Sequence, residues 1–236
     1  MNAKIIRVGQ AIEVDIAQPI TIVMRTYFSS YHLWAARHFL ALAKNLENTD
    51  GRSPRFDIKH RAYVTNSILS AISFIEAGIN ELFQDVCDNH TSYTASLDSV
   101  GRNALLDCWH AASRKSIFEK YNKALTCLRK KPFGKNQAPQ EDAALVNSLR
   151  NALVHYQPTS LGGNVEHKLA SKLTGKFPDN KLMTGSGNPW FPDKCSGHGC
   201  AEWAIHSVTT FADEFFCRIG VQPNYQRVQF NPAPHE

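Results

Sequence analysis

The sequence feature that most constrains the fold is one long apolar helix pattern between Arg61 and Cys87. Its apolar residues return every three or four positions, which places them on one face of an α-helix and excludes the two-residue alternation of a strand. An amphipathic segment of this length, with so wide a stripe, packs in the middle of a helical bundle. The stripe consists of Ile68, Leu69, Ile72, Ile75, Ile79, Leu82, Phe83 and Val86.

Further helical patterns flank this segment on both sides. Each has apolar residues in steps of three and four and ends at loop-forming Asn, Gly, Ser or Pro. They predict helices at 30–48, in a short segment at 105–112, at 113–130, from Pro139 to Pro158, and at 200–220. The expected fold class is therefore all-α, an antiparallel up-and-down bundle of about five helices.

The two ends of the chain differ from the bundle. Apolar and acidic residues alternate from Ile12 to Ile16, and a second alternating run ends at Met24, which predicts a short N-terminal β-hairpin arm. The expected organisation is an arm at 1–28, a bundle at 29–220 with a loop insertion at about 158–199, and a polar tail at 221–236. Because the insertion is too long for an idle connection, we expect either a functional lid or a poorly ordered segment.

The composition is that of an ordinary soluble protein, with 43% hydrophobic and 20% charged residues and no apolar run that predicts a membrane span. The first residues lack an export signal, so we expect a cytoplasmic protein without a membrane partner. The net charge of +5 permits a nucleic-acid partner without arguing for one.

Cysteine placement favours reduced thiols over a secreted disulfide framework. Four of the six cysteines lie within helical patterns, where a small buried thiol is common. These four are Cys87, Cys108, Cys127 and Cys217.

Three polar residues interrupt the apolar pattern of the helix that ends before Pro158. They are Arg150, Asn151 and His155 in the stretch LRNALVHYQP. Asn151 and His155 are four apart and share a helix face, and Arg150 is long enough to fold back toward Asn151. Because a buried polar group without a partner costs about 1–3 kcal/mol, these residues indicate a site rather than a core position.

The arginine-to-histidine spacing alone carries little weight, because it occurs twice more. Arg25 and His32 straddle the end of the predicted arm, and Arg55 and His60 flank a loop-to-helix junction. The stretch 150–155 differs in its context, since it lies in a late helix of the bundle with asparagine directly after arginine.

The stretch RNALVH at 150–155 resembles the Arg-(polar)-x3-His motif of HEPN domains, small helical bundles that often serve as metal-independent ribonucleases. The stretch 67–83 looks like the early helix of that family, with Glu76 one turn before Asn80. The opening of the last helix, CAEWA at 200–204, is similar to a subset of these proteins. The resemblance covers roughly residues 30–220, and the N-terminal arm and the insertion depart from it.

The resemblance implies an endoribonuclease that needs no metal or other cofactor. It implies single-stranded RNA as substrate, an active cleft shared by two chains of a homodimer, a toxin or defence role, and an antitoxin protein as a further partner. In such a site His155 transfers the proton of the ribose 2′-hydroxyl, Arg150 stabilises charge on the phosphate, and Asn151 orients the phosphate or His155. The alternative is a non-catalytic HEPN-like module that binds RNA or protein and uses the same residues at a dimer interface.

Three supporting residues are expected around this motif: Glu76, Asn80 and Tyr156. Glu76 lies beside the apolar stripe, so it should be partly buried and paired with Arg150; its alternative partner is water or a lysine at the rim. Tyr156 either flanks the cleft and stacks on a base or packs in the interior.

Two further patterns leave alternatives open. Cys195, His198 and Cys200 with His206 resemble zinc ligands, but the spacing is poor, and we favour a tight turn into the last helix, with no metal. Basic residues form two groups that either hold an RNA backbone or are solvated loops. These groups are Arg129, Lys130, Lys131 and Lys135, and the insertion lysines Lys168, Lys172, Lys176, Lys181 and Lys194.

Overall fold

The computed structural model describes residues 24–49, 53–158, 167–227 and 230, and the backbone of 3–7 and 10–14. Two strands, β1 (Ala3–Arg7) and β2 (Gln10–Val14), pair antiparallel. The helices are α1 (Phe28–Thr49), α2 (Ile58–Cys87), α3 (Thr91–Thr94), α4 (Ser99–Ala112), α5 (Ile117–Cys127), α6 (Gln140–Val154), α7 (Ala170–Leu173) and α8 (His198–Ile219).

Helix α2 is the central helix of the bundle. It begins at Ile58 because the carboxylate of Asp57 accepts hydrogen bonds from the backbone N–H groups of Lys59 and His60. Its apolar stripe is buried except for the half-buried Leu69, and the helix packs against α1, α4, α6 and α8. Among the described residues α2 alone is long and apolar enough to cross a membrane, and half of its most apolar window is buried inside the structure. Its role in the core accounts for that apolarity.

Aromatic residues fill the space between α2, α5 and α8. Tyr121 of α5 is completely buried between Phe211 and Phe215 of α8, with ring centroids 4.8 and 4.6 Å away. Its hydroxyl donates to the carbonyl oxygen of Ile75 at 2.8 Å, so its one polar atom is satisfied. The largest aromatic side chains therefore fix the spacing of three helices.

The prediction of an all-α fold is confirmed, but the helix count differs. Six helices in the described part of the chain have eleven or more residues, where about five were expected. The additional full helix is α4, which begins earlier than predicted because the side chain of Asp98 accepts from the N–H of Gly101. Helix α5 begins later, since Ser116 and Glu119 form a capping box.

The chain termini are only partly described. The predicted arm from Ile12 to Met24 overlaps β2, and its residues 15–23 lie outside the described residues. In the predicted polar tail, Tyr225 is buried instead, with its ring 4.7 Å from that of Phe74. The apolar body of a tyrosine packs well when its hydroxyl finds a partner, here the carboxylate of Asp213 at 2.8 Å.

One cysteine pair contradicts the expectation of reduced thiols. Cys108 of α4 and Cys127 of α5 form a disulfide, with 6.6 Å between their Cα atoms. The two helices pack side by side, which brings these positions together. Periodicity places each cysteine on its own helix, but it does not show which cysteine lies next to it in the fold. The other four cysteines are free thiols.

The insertion packs on the bundle over its described part, 167–199. It contains α7, a 3-10 turn at Lys181–Met183 and a turn at Trp190–Lys194, and it buries Leu173 and Phe191. Of the two alternatives, a poorly ordered segment does not fit this part, because apolar side chains anchor it. Residues 159–166 lie outside the described residues.

Candidate functional site

Helix α6 separates an apolar face from a polar one. Leu149 is completely buried and holds the helix in the bundle. Ser148, Asn151, Ala152 and His155 are spaced at i, i+3, i+4 and i+7, which places them together on the opposite face. The local sequence therefore directs Asn151 and His155 away from the core.

This polar face of α6 forms one wall of a cleft of about 630 Å³. The other wall is the start of the insertion, and we call residues His167 to Lys172 the insertion wall. The described residues that line the cleft are Ser148, Asn151, Ala152, His155, Tyr156, Gln157, His167, Lys168, Leu169 and Lys172.

His155 lies where α6 ends. Its backbone N–H donates to the carbonyl oxygen of Asn151 at 2.9 Å, which closes the last turn, and its imidazole is exposed in the cleft. Tyr156 follows, and its side chain is 44% exposed and lines the same cleft. A ring in this position is available to stack on a planar ligand.

Arg150 lies between α2 and α6, outside the described lining of the cleft. Its Nη1 donates to Oδ1 of Asn151 at 2.9 Å, and its Nη2 is 3.7 Å from Oε2 of Glu76. The side chain of Glu76 is 46% exposed, so the ion pair is a weak one at the rim. The structure thus joins Glu76, Arg150 and Asn151 in a chain of contacts that ends beside His155.

Asn80 belongs to a different contact. Its Oδ1 accepts a hydrogen bond from Nζ of Lys120 at 2.9 Å, and Lys120 is itself buried beside the ring of Trp109. This amide satisfies a buried ammonium group between α2 and α5. Among the described residues, no hydrogen bond or ion pair joins Asn80 to Arg150, Asn151 or His155.

The insertion wall adds a histidine that sequence reasoning did not select. His167 stacks on the buried ring of Phe191, with centroids 4.2 Å apart, and its Nδ1 accepts from the backbone N–H of Leu169 at 3.2 Å. Burial and the neighbouring charge of Lys168 lower the pKa of His167 below its usual 6.5. The only sequence signal was a histidine beside a lysine near Pro158.

The cleft favours negatively charged ligands. Its described lining contains Lys168, Lys172 and two histidines, and no aspartate or glutamate. Lys176 just beyond it donates to the carboxylate of Asp142 at 2.7 Å, which ties the insertion to the start of α6. The two walls are therefore held together by a contact outside the cleft.

The cysteines and the histidine around the start of α8 make contacts other than those of a zinc site. His198 Nδ1 contacts Oε2 of Glu47 at 2.7 Å, and Cys195 and Cys200 are buried free thiols. Burial raises the pKa of Cys195 to about 12, which disfavours the thiolate that a metal needs. Within the described ranges no group of three or more His, Cys, Asp or Glu side chains is arranged to hold a metal ion.

Glu47, His60 and His198 form what we call the buried carboxylate cluster. Oε1 of Glu47 lies 2.7 Å from Nε2 of His60 and accepts the backbone N–H of His198 at 2.6 Å. Burial alone would raise the pKa of Glu47, but hydrogen bonds from His198 and His60 lower it well below its ordinary range. The cluster joins the ends of α1 and the insertion to the start of α2.

The two other arginine-to-histidine spacings lead to structural contacts. Arg25 pairs with Asp85 at 2.8 Å and with Asp88 at 2.7 Å. His60 belongs to the buried carboxylate cluster. Of the three spacings, only that at 150–155 places its histidine in the described cleft.

No family model matches the chain, and comparison with curated proteins and with solved structures finds no significant match. The chemistry of the cleft must therefore be inferred from its own residues.

Proposed function

We propose that the protein is a metal-independent endoribonuclease of HEPN type that cleaves single-stranded RNA in the cleft between α6 and the insertion. The observation that carries the proposal is the exposed imidazole of His155 in a cleft whose described lining is basic and lacks carboxylates. RNA fits such a cleft because each of its phosphates has a ribose hydroxyl beside it. The adjacent Tyr156 has a ring on which a base can stack.

The proposed reaction is the attack of the ribose 2′-oxygen on the adjacent phosphorus. His155 takes the proton of the 2′-hydroxyl, the new O–P bond forms, and the bond from phosphorus to the 5′-oxygen breaks. The 5′-oxygen takes its proton from solvent, and the products are a 2′,3′-cyclic phosphate and a 5′-hydroxyl. A chelator leaves this reaction unchanged, because no step uses a metal.

Arg150 and Asn151 support the phosphate in this proposal. The guanidinium fixes the amide of Asn151 through the 2.9 Å hydrogen bond, and it brings positive charge to the edge of the cleft. Charge develops on the phosphoryl oxygens in the transition state, where a fixed donor or cation is most effective. Glu76 restrains Arg150 from the other side.

The test is cleavage of a fluorescent single-stranded RNA in the presence of EDTA. We expect wild-type protein to produce fragments with cyclic phosphate ends and His155→Ala to lose at least about 100-fold in rate. His110→Ala is the matched control, since His110 is an exposed histidine on α4 outside the described cleft lining. Equal, background-level cleavage by wild type and His155→Ala would end the nuclease proposal.

A second candidate, a non-catalytic HEPN-like module that binds RNA or protein, is favoured by one observation. The contacts of Arg150 run to Glu76 and Asn151, which is how a bracing residue behaves. In that case a 2′-O-methyl RNA, which cannot be cleaved, binds while unmodified RNA stays intact. Under either proposal, the family resemblance implies a homodimer. Sedimentation velocity measures this oligomeric state.

A further inference from the structure

The insertion wall presents three groups that are suited to an anionic ligand and that the proposed reaction does not use. Lys168 and Lys172 line the cleft opposite His155, and His167 lies at the end of the same wall. The family resemblance does not cover this segment, so its role must come from its own geometry.

The hydrogen bond at His167 defines which of its nitrogens is free to bind a ligand. A backbone N–H can only donate, so Nδ1, which contacts the N–H of Leu169, is the acceptor, and the proton of the neutral ring is on Nε2. The stack on Phe191 holds the ring plane. His167 is therefore a neutral imidazole that offers an Nε2–H donor, and it is not set up as a proton acceptor.

The wall is also held in place. Leu169 and Leu173 are buried on either side of Lys172, and the ion pair of Lys176 with Asp142 joins the insertion to the start of α6. Because the backbone of the wall is fixed, less entropy is lost when its side chains bind an anion than when an unanchored loop binds one.

We propose that His167, Lys168 and Lys172 form a phosphate-binding subsite for the RNA backbone, opposite His155 in the same chain. The ammonium groups neutralise the phosphate, and Nε2–H of His167 donates to one of its oxygens. This inference rests on the proposed function for the identity of its ligand. Both walls of the cleft belong to one chain, so RNA binding at this subsite does not require a second copy of the protein.

The test is binding of an uncleavable 2′-O-methyl single-stranded RNA, followed by fluorescence anisotropy over a range of salt concentrations. We expect Lys168→Ala/Lys172→Ala to bind about tenfold more weakly, and the magnitude of the slope of log K against log salt to fall by about 0.7, because one phosphate contact is lost. The matched control is Lys59→Ala/Lys123→Ala, which removes the same charge at two exposed lysines outside the described cleft lining.

A second variant, His167→Phe, keeps the ring that stacks on Phe191 and removes the donor. We expect it to lower affinity about fivefold, and His167→Gln, which retains an N–H donor, to restore part of the loss. Circular dichroism confirms that each variant is folded.

The outcomes separate this inference from the proposed function. If wild type cleaves RNA and Lys168→Ala/Lys172→Ala binds and cleaves as its control does, the subsite is wrong and the nuclease stands. If nothing cleaves RNA but the double variant shows the weaker binding and the smaller salt slope, the subsite stands and the nuclease proposal fails. Equal losses in the test and control variants show that general charge is responsible, and overturn the subsite.

Discussion

Two regions of this protein use histidine in opposite ways. In the buried carboxylate cluster, His60 and His198 lie in the interior and share the oxygens of Glu47 at 2.7 Å. In the cleft, His155 is exposed at a helix end, and Lys168 and Lys172 line the same cleft. The residue type is the same, but its accessibility and its partners differ.

This difference separates a stabilising histidine from a reactive one. A buried imidazole whose nitrogen is bonded to a carboxylate holds elements together, and a substrate cannot reach it. An exposed imidazole at a cleft contributes little to stability and can exchange protons with a ligand. The comparison therefore predicts that stability and activity depend on different histidines.

The largest effect on stability is expected from Glu47→Ala. The substitution leaves Nε2 of His60 and both the N–H and Nδ1 of His198 without their short contacts, at about 1 kcal/mol or more for each, so the free energy of unfolding should fall by about 3 kcal/mol. Urea denaturation at pH 7 measures it. A loss no larger than that of Glu76→Ala, which truncates a half-exposed carboxylate, would show that the cluster does not hold the fold.

A smaller effect is expected from His60→Ala, and almost none from His155→Ala. Removing the buried imidazole leaves a cavity and takes one of two hydrogen bonds from Oε1 of Glu47, which lowers the free energy of unfolding by about 2 kcal/mol. Truncating the exposed imidazole changes it by less than about 0.5 kcal/mol. Denaturation of the two variants side by side tests the comparison directly, and equal losses would contradict it.

The cluster should also give the wild-type protein a pH-dependent stability, which comes from Glu47. The pKa of Glu47 is lowered in the folded state, so below its ordinary value of 4.5 the unfolded chain binds the proton first. Stability from this group is complete above pH 4.5 and declines as pH falls toward the folded-state pKa, by at most about 1.4 kcal/mol per pH unit. Wild type should therefore lose stability more steeply than Glu47→Gln between pH 5 and 3. Parallel curves would mean that folding does not lower the pKa of Glu47, and would contradict the prediction.

The sequence predicted the helices well because their apolar periodicity is strong. The apolar stripe of α2 lies in the core as expected. The helix itself begins a few residues before the predicted Arg61, because Asp57 caps it. The disulfide of Cys108 with Cys127 could not be predicted, because it depends on how α4 and α5 lie beside each other. Packing between elements leaves no periodic signal.

The candidate site was predictable on one wall only. Asn151 and His155 share a helix face, so their spacing alone brings them together. His167 and Lys172 meet them because Leu169, Leu173 and Phe191 anchor the insertion, and nothing in the local sequence specifies that docking. The contact of Asn80 was not predictable for a similar reason, since its partner Lys120 comes from α5, a helix distant in sequence.

The docking of the insertion has an energetic consequence for any ligand of the cleft. Because one wall belongs to α6 and the other to residues after 166, the cleft exists only while the insertion is docked. Apolar anchors, the ion pairs of Lys176 with Asp142 and of Arg61 with Asp193, and the buried carboxylate cluster hold this segment. Local opening of such a segment costs less free energy than unfolding of the whole domain. A ligand that contacts both walls binds only the docked form, so its binding energy adds directly to the stability of that local contact.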